Sequence, residues 1–474
     1  MRTTILKLQF LIFALTISFI SNAQQVWTLE QCINYALQNN IQLKQQKLNA
    51  EYNKNIYSQS KTERLPNLNA FADQNLSFGR SVDPYTNEFS DDNVKSNNFG
   101  ISSSVTIFKG LQNYYTIKQN HFNLLASLSD VDKIKNDISL NIVSTYLQIL
   151  FNKELVKIAE NQLAITKQQT ERTKKLIDAG SLAKGSLFEM QAQESSEELS
   201  VINAKNQLDI SLLVLTQLLE FDSVGSFNIN VPDFPELEEI KTLYSVEQIY
   251  SEAINTLPQI KSSEYKLKSA EKGLLVARGT MYPTLSFRAN YGTGYSNARY
   301  KYIDGIPETT IIGQTETSGE SVIADYPTYI QQDYSFGNQF KDNASTSLSF
   351  NLNIPIFNRF QTKTNTNNAH INVLNQKHNL QLSKNQLYKD IQQAYADSQA
   401  SLRKHIASKK SVTSNEESFR YTQQKFDVGL VNSVDYNIAK NNLTKAKSEL
   451  LQAKYEYIFK TKILDFYKGI PIKL

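Results

Sequence analysis

The chain is written twice. Thr28-Leu29-Glu30-Gln31 with Ala36 recurs 217 positions on as Ser245-Val246-Glu247-Gln248 with Ala253, and Pro66-Asn67-Leu68 recurs at that spacing as Pro283-Thr284-Leu285. Further along the spacing becomes 249: Ile107-Phe108 recurs as Ile356-Phe357, Tyr146 as Tyr395, and Asp178-Ala179-Gly180 as Asp427-Val428-Gly429. The change of 32 places an insertion in the second copy between Leu285 and Ile356. One unit was duplicated and one of its loops grew.

Periodicity switches twice within each copy. Residues 41–64 and 257–282 read as helices that stop beside Pro66 and Pro283, because the residue before a proline avoids the α region. Alternation follows each proline. Leu285, Phe287, Ala289, Tyr291 and Tyr295 fall on one strand face, and Leu348, Phe350, Leu352, Ile354 and Ile356 answer them. In the first copy Leu76 and Phe78, then Phe99, Ile101, Val105 and Ile107, do the same. The pattern predicts four long strands in two hairpins.

The second strand of each hairpin feeds a long helical stretch. No proline occurs between Pro84 and Pro232 or between Pro355 and Pro471, and the whole chain holds only 16 glycines and 10 prolines. Residues 111–178 and 360–427 would each run about 100 Å at ~1.5 Å per residue. Gly180 and Gly429 stand at matching positions, where a left-handed residue can end one helix and let another return. Beyond the second turn, Leu443, Ala446, Leu450, Ala453, Tyr457 and Leu464 keep a 3-4 spacing interrupted by Lys460, which suits coiled-coil packing. The segment 298–342, with Gly305, Pro307, Gly313, Gly319 and Pro327, reads as a long loop.

Several function classes fall away. Arg2 and Lys7, the apolar run Leu8–Ile20 and Ser21-Asn22-Ala23 form an export signal, so the mature chain begins near Gln24. No later stretch has the ~18 uninterrupted apolar residues of a spanning helix. A net charge of +4, falling to +2 without Arg2 and Lys7, is too balanced for a nucleic-acid partner. The single Cys32 excludes a disulfide framework, and it stands too far from the cleavage point to carry a lipid anchor. His121, His370, His378 and His405 lack the clustered carboxylates or cysteines of a metal site. Gly292-Thr293-Gly294 lies in an alternating strand and lacks a third glycine, so it is no dinucleotide fingerprint. No catalytic motif or cofactor site is present.

Four strands with one apolar face cannot close a barrel, and open edges are not tolerated in lipid. Other copies of the chain must complete them, and three copies supply twelve strands, an even number within the range of outer-membrane barrels. The rival reading is a secreted trimeric coiled-coil structural or adhesion protein. It accounts for the 3-4 spacing but not for strands set inside each repeat.

The order helix, hairpin, long helix, glycine turn, helix, repeated once, resembles the TolC-type outer-membrane efflux family. Trp27-Thr28-Leu29-Glu30-Gln31 with Ala36, Pro66-Asn67-Leu68 and Phe426-Asp427-Val428-Gly429-Leu430 carry the resemblance over roughly residues 24–470. It implies a homotrimer whose twelve-stranded barrel lies in outer-membrane lipid and whose α-helical tunnel crosses the periplasm. It also implies passive transport: an exit duct of a tripartite efflux or type I secretion system, with no enzyme activity and no cofactor. The partners implied are a periplasmic adaptor (membrane fusion) protein and an inner-membrane transporter of RND, ABC or MFS type. Adaptor contact would fall on the hairpin tips, at Val428, Gly429 and Leu430 and, less like the family pattern, at Ala179, Gly180 and Ser181. Asp435 matches an acid that lines the closed end in the family, so three copies would form a ring. The second acid of that pattern is replaced by Ile438, and Glu189 is expected to face solvent. Asp435 also suits the first turn of a helix, where the macrodipole favours an acid.

The domain organisation expected is a signal peptide at 1–23, a first structural repeat at 24–235 and a second at 236–474. The first holds strands at about 67–79 and 97–108 and a helical hairpin at about 111–220. The second holds strands at about 284–297 and 343–357 and a helical hairpin at about 360–466.

Overall fold

A computed structural model of the protein describes residues 26–82, 87, 89–90, 93–221, 227–232 and 244–470. The expected signal peptide and its cleavage point lie outside the described residues. In chain order the helices are α1 (Leu29–Asn39), α2 (Ile41–Thr62), α3 (Gln112–Asp178), α4 (Gly185–Leu218), α5 (Val246–Thr256), α6 (Pro258–Gly279), α7 (Phe336–Asp342), α8 (Gln361–Asp427) and α9 (Ser433–Tyr467). The strands are β1 (Val26–Trp27), β2 (Asn67–Ser77), β3 (Ser81–Val82), β4 (Phe89–Ser90), β5 (Val94–Lys109), β6 (Asn228–Ile229), β7 (Thr284–Ser296), β8 (Tyr300–Asp304), β9 (Glu308–Gln314), β10 (Ser321–Tyr326), β11 (Tyr329–Asp333) and β12 (Ser345–Asn353). Contacts divide the chain into two units, and each draws on both copies of the repeat. One comprises 1–54, 122–268 and 374–474, the other 55–121 and 269–373, with the divisions falling inside α2, α3, α6 and α8.

The first unit is helical. Thr28 and Ser245 begin α1 and α5 with the same capping box, each hydroxyl accepting the third backbone N–H while Gln31 or Gln248 reaches back. Two donors left over at a helix start are thereby satisfied. The duplicated positions build two cores. Cys32, Ala36, Leu43, Ile138, Ile142 and Leu215 pack in one; their counterparts Ile249, Ala253, Ile260, Leu387, Ile391 and Leu464 pack in the other. Cys32 is a core residue, and burial pushes its thiol up to about 12. The first core is closed by an aromatic group, Trp27, Tyr35, Phe221 and Phe227, and by the parallel pair of β1 with β6. Tyr146 donates its hydroxyl proton to Asn230 O at 2.7 Å, with Trp27 O 3.2 Å away, holding that pair in place.

The second unit is built on an antiparallel sheet in the order β12-β7-β5-β2. Its register aligns the apolar residues: Phe350 opposes Phe287, which opposes Val105, and Tyr291 opposes Ile101, which opposes Ala70. An irregularity between Thr106 and Phe108 shifts the register of β5, so Phe108 and not Ile107 pairs with Leu285. Strand β12 stops at Asn353 rather than near Phe357, because Pro355 offers no N–H to a ladder. Both copies leave the sheet through two successive left-handed residues, Gly110-Leu111 and Arg359-Phe360. Glycine is required at the first site, where a Cβ would run into Gly279 O and Tyr282 Cβ.

The insertion departs from the expected loop. Strand β8 pairs with β11 and β9 with β10, while α7 folds back on the sheet. Phe336 and Phe340 meet Phe99, and Gln339 bonds both N and O of Ser296 at 3.0 and 2.9 Å. Gly305, Pro307, Gly319 and Pro327 fall between the strands of this paired ribbon, Gly319 at a φ of +68°, whereas Gly313 lies inside β9 and pairs with Val322 beside a register shift.

Candidate functional site

At the first hairpin tip the chain ends α3 through Gly180, at a φ of +74°. The Ser181 N–H bonds Leu176 O and the Gly180 N–H bonds Ile177 O, both at 2.8 Å. The second tip repeats this at Gly429, φ +78°, with Leu430 N–H on Lys425 O at 2.8 Å and Gly429 N–H on Phe426 O at 3.1 Å. Such closure satisfies the last helix carbonyls and favours glycine, which enters the left-handed region without strain. Ala179, Gly180, Ser181, Val428, Gly429 and Leu430 are all exposed, and the second tip presents the larger apolar side chains.

Asp435 is exposed in the first turn of α9, where its N–H bonds the side chain of the N-cap Asn432 at 2.8 Å. The position suits an acid at a helix N-terminus, and it also leaves the carboxylate free to face other charges. Glu189 is exposed as well, but its carboxylate accepts the hydroxyl of Ser433 and so joins the start of α4 to the start of α9.

Behind the tips a polar network ties the two hairpins together. Arg172 on α3 pairs with Asp427 at the end of α8. Tyr436 packs against Phe426 and Phe419, with ring centroids 4.7 and 5.4 Å away. Burial first, and then Asp427 and Glu197, push its hydroxyl up to about 12. One turn further, Lys440 of α9 is 2% exposed and stands 3.3 Å from Glu197 of α4, itself 7% exposed. Lys440 also donates to Thr166 and to Gln162 O on α3, and Thr166 donates to Glu197. Desolvation holds the Lys440 ammonium below its usual range, against the pull of Glu197. The 3-4 spacing of Leu443 and Ala446 runs back through Ala439 and Tyr436, one residue off Lys440, so the spacing does not mark this cation. Nor does it mark the partner on another helix.

The sheet offers a different surface. Strands β2 and β12 each have an unpaired edge, and all nine residues of β12 are exposed. On the apolar face Phe350 is 71% and Leu348 66% exposed. The opposite face is asparagine-, serine- and glycine-rich. An apolar surface beside open edges is not a finished structure in water or in lipid.

The sequence model of the outer membrane efflux protein family matches residues 32–219 and again 249–460, once for each copy of the repeat. The chain belongs to the outer membrane efflux protein family. Among its relatives is the outer membrane protein TolC of Vibrio cholerae serotype O1, 22% identical over 322 residues. That match takes in 67% of this chain and 64% of the relative's length, so it spans a little under two thirds of TolC. The fold is similar to that of CusC, known from crystal structures of its folding and transmembrane channel formation. The TM-score is 0.75 at 16% identity, covering 94% of this chain and 92% of that one. It is also similar to the CmeC outer membrane channel of Campylobacter jejuni, with a TM-score of 0.74 at 19% identity over 93% and 85% of the two chains.

Membership places this protein in the outer membrane, extending into the periplasm, within a family of efflux proteins. Channels of this family are trimeric and work with efflux pumps. Strands paired inside both repeats thus replace the secreted coiled-coil alternative. Among the described residues no helix is long and apolar enough to cross a membrane.

Proposed function

We propose that three copies join their four-stranded sheets, β12 of one to β2 of the next, into a twelve-stranded barrel that opens to the exterior. The helices continue it as a periplasmic duct, and solutes pass through it without chemistry. The observation that carries this reading is the sheet, with its two unpaired edges and an apolar face that is exposed away from α7. Pairing edge to edge satisfies every backbone group, as a spanning sheet must. The apolar face then meets lipid and the Asn/Ser/Gly face lines the passage.

In this assembly the tips, above all Val428, Gly429 and Leu430, meet a periplasmic adaptor (membrane fusion) protein, with Ala179, Gly180 and Ser181 as a second contact. An inner-membrane transporter of RND, ABC or MFS type supplies the energy. Asp435 from three copies forms an aperture ring that attracts cations. The ribbon of β8–β11 lies outside the cell. The test is purified protein in a planar bilayer: discrete conductance steps support the duct, and a silent membrane at saturating protein refutes it. Asp435→Ala lowers cation preference and divalent-cation block; both unchanged would remove the ring.

A further inference from the structure

The polar face of the sheet carries one large apolar side chain. From Asn67 to Asn75, Asn98 to Ser104, Ser286 to Gly294 and Ser347 to Asn351, its residues are asparagine, serine and glycine together with Phe71, Asp73 and Arg288. Phe71 opposes Gly100, and Gly100 opposes Gly292, so a lane of bare backbone crosses β5 and β7 beside the ring. An ideal Cβ on Gly100 would lie 2.5 Å from Phe71 Cζ and 2.6 Å from Cε1. The far end of the ring therefore reaches over that glycine rather than standing off the sheet, and the residue stays 50% exposed. Asp73 is the next residue of β2 on the same face, about 7 Å along the strand at ~3.4 Å per residue, and is exposed.

We propose that Phe71 and Asp73 form a binding subsite inside the duct for organic cations that carry aromatic groups. The inference rests on the reading that the polar face lines the passage. An exposed ring face attracts both flat apolar groups and cations, and a carboxylate one pleat away adds charge attraction. The glycine lane leaves room for a second flat group to lie against the backbone. A packing role alone, with the ring covering a strand glycine, explains the contact with Gly100. It does not explain an adjoining lane left open at Gly292, nor an acid on the same face.

The experiment is single-channel recording with tetraphenylphosphonium as the probe and tetramethylammonium, which has charge without rings, as its comparison. The wild-type channel is blocked by tetraphenylphosphonium with resolvable dwell times, and much less by tetramethylammonium. Phe71→Ser shortens the tetraphenylphosphonium dwell roughly three- to tenfold, and Asp73→Asn shortens it to a similar degree. Phe71→Leu still covers Gly100, so it assembles if the serine variant does not, and it too shortens the dwell. Equal block by the two cations, or dwells unchanged in the Phe71 variants while their assemblies melt earlier, overturns the subsite and leaves a packing residue. Absence of any conductance in the wild type instead refutes the duct itself, and the subsite with it.

Discussion

The two copies of the repeat make the same junction with different chemistry. In the first, α4 ends at Glu220 in the left-handed region, φ +57°, with Phe221 N–H returning to Thr216 O at 3.0 Å. Its counterpart 249 positions on is Gly469, φ +78°, with Ile470 N–H on Asp465 O, also at 3.0 Å. A glutamate in that conformation is strained by ~1–2 kcal/mol. Its side chain has a task, however: Oε1 accepts the Ile41 N–H that begins α2, at 3.3 Å. The residue matching Ile41 is Pro258, which has no N–H to satisfy and fits a first helical turn. Where the donor is gone the acceptor is gone too, and glycine takes the turn without strain. After duplication the backbone path was kept, and each copy settled its polar groups in its own way.

The same divergence predicts which copy tolerates change. The largest effect belongs to Lys440, whose first-copy counterpart is the exposed Gln191. Lys440→Ala leaves Glu197 buried without its cation and costs about 3–5 kcal/mol, while Gln191→Ala stays within ~0.5 kcal/mol; denaturation midpoints in detergent compare them. Replacing Lys440 by Leu together with Glu197 by Ala, the residue at the matching position 446, recovers most of the loss.

Alkaline titration comes next. Tyr436, where the first copy has Leu187, is protonated up to about 12 in the folded chain but ionises near 10 when unfolded. The fold holds the proton more tightly, so this contribution is complete below pH 10. It falls away as pH rises toward 12, by roughly 2–3 kcal/mol at most for a two-unit shift. Helix content followed by circular dichroism should drop in that window, and Tyr436→Phe should move the drop upward.

Tyr146→Phe leaves Asn230 O without its donor and costs about 1–2 kcal/mol. At the matching Tyr395, which is half-buried, the same change is nearly neutral. Thermal midpoints of the two variants measure the difference. The smallest effects return to the junction. Gly469→Ala costs ~1–2 kcal/mol by forcing a Cβ into the left-handed region, and Glu220→Ala about 1 kcal/mol through the lost cap on Ile41. Equal losses for Pro258→Ala and Glu220→Ala would break the comparison.

Much of the fold was legible because repetition doubles weak signals. The prolines at 66 and 283, the glycines at 180 and 429 and the Thr28 and Ser245 boxes each gain force from their partner. The apolar alternation of Leu285, Phe287 and Ala289 was as clear, since strands exposed to lipid on one face keep a strict period of two. The ribbon at 300–333 has no second copy to confirm it, and its glycines and prolines outweigh its alternation. The Lys440–Glu197 pair was hidden for another reason. It joins α9 to α4 across 243 residues, and sequence spacing shows which face a residue takes but not what meets it. Phe71 broke the polar alternation of β2 in plain view, yet its meaning needs Gly100 beside it, which only the register supplies.

The central claim is that one chain's sheet is a third of a closed barrel. The mass of the detergent-extracted complex from an outer-membrane fraction tests it most directly. The account predicts a single species of three chains. A monodisperse monomer would contradict it, because four strands with free edges cannot seal a passage through lipid.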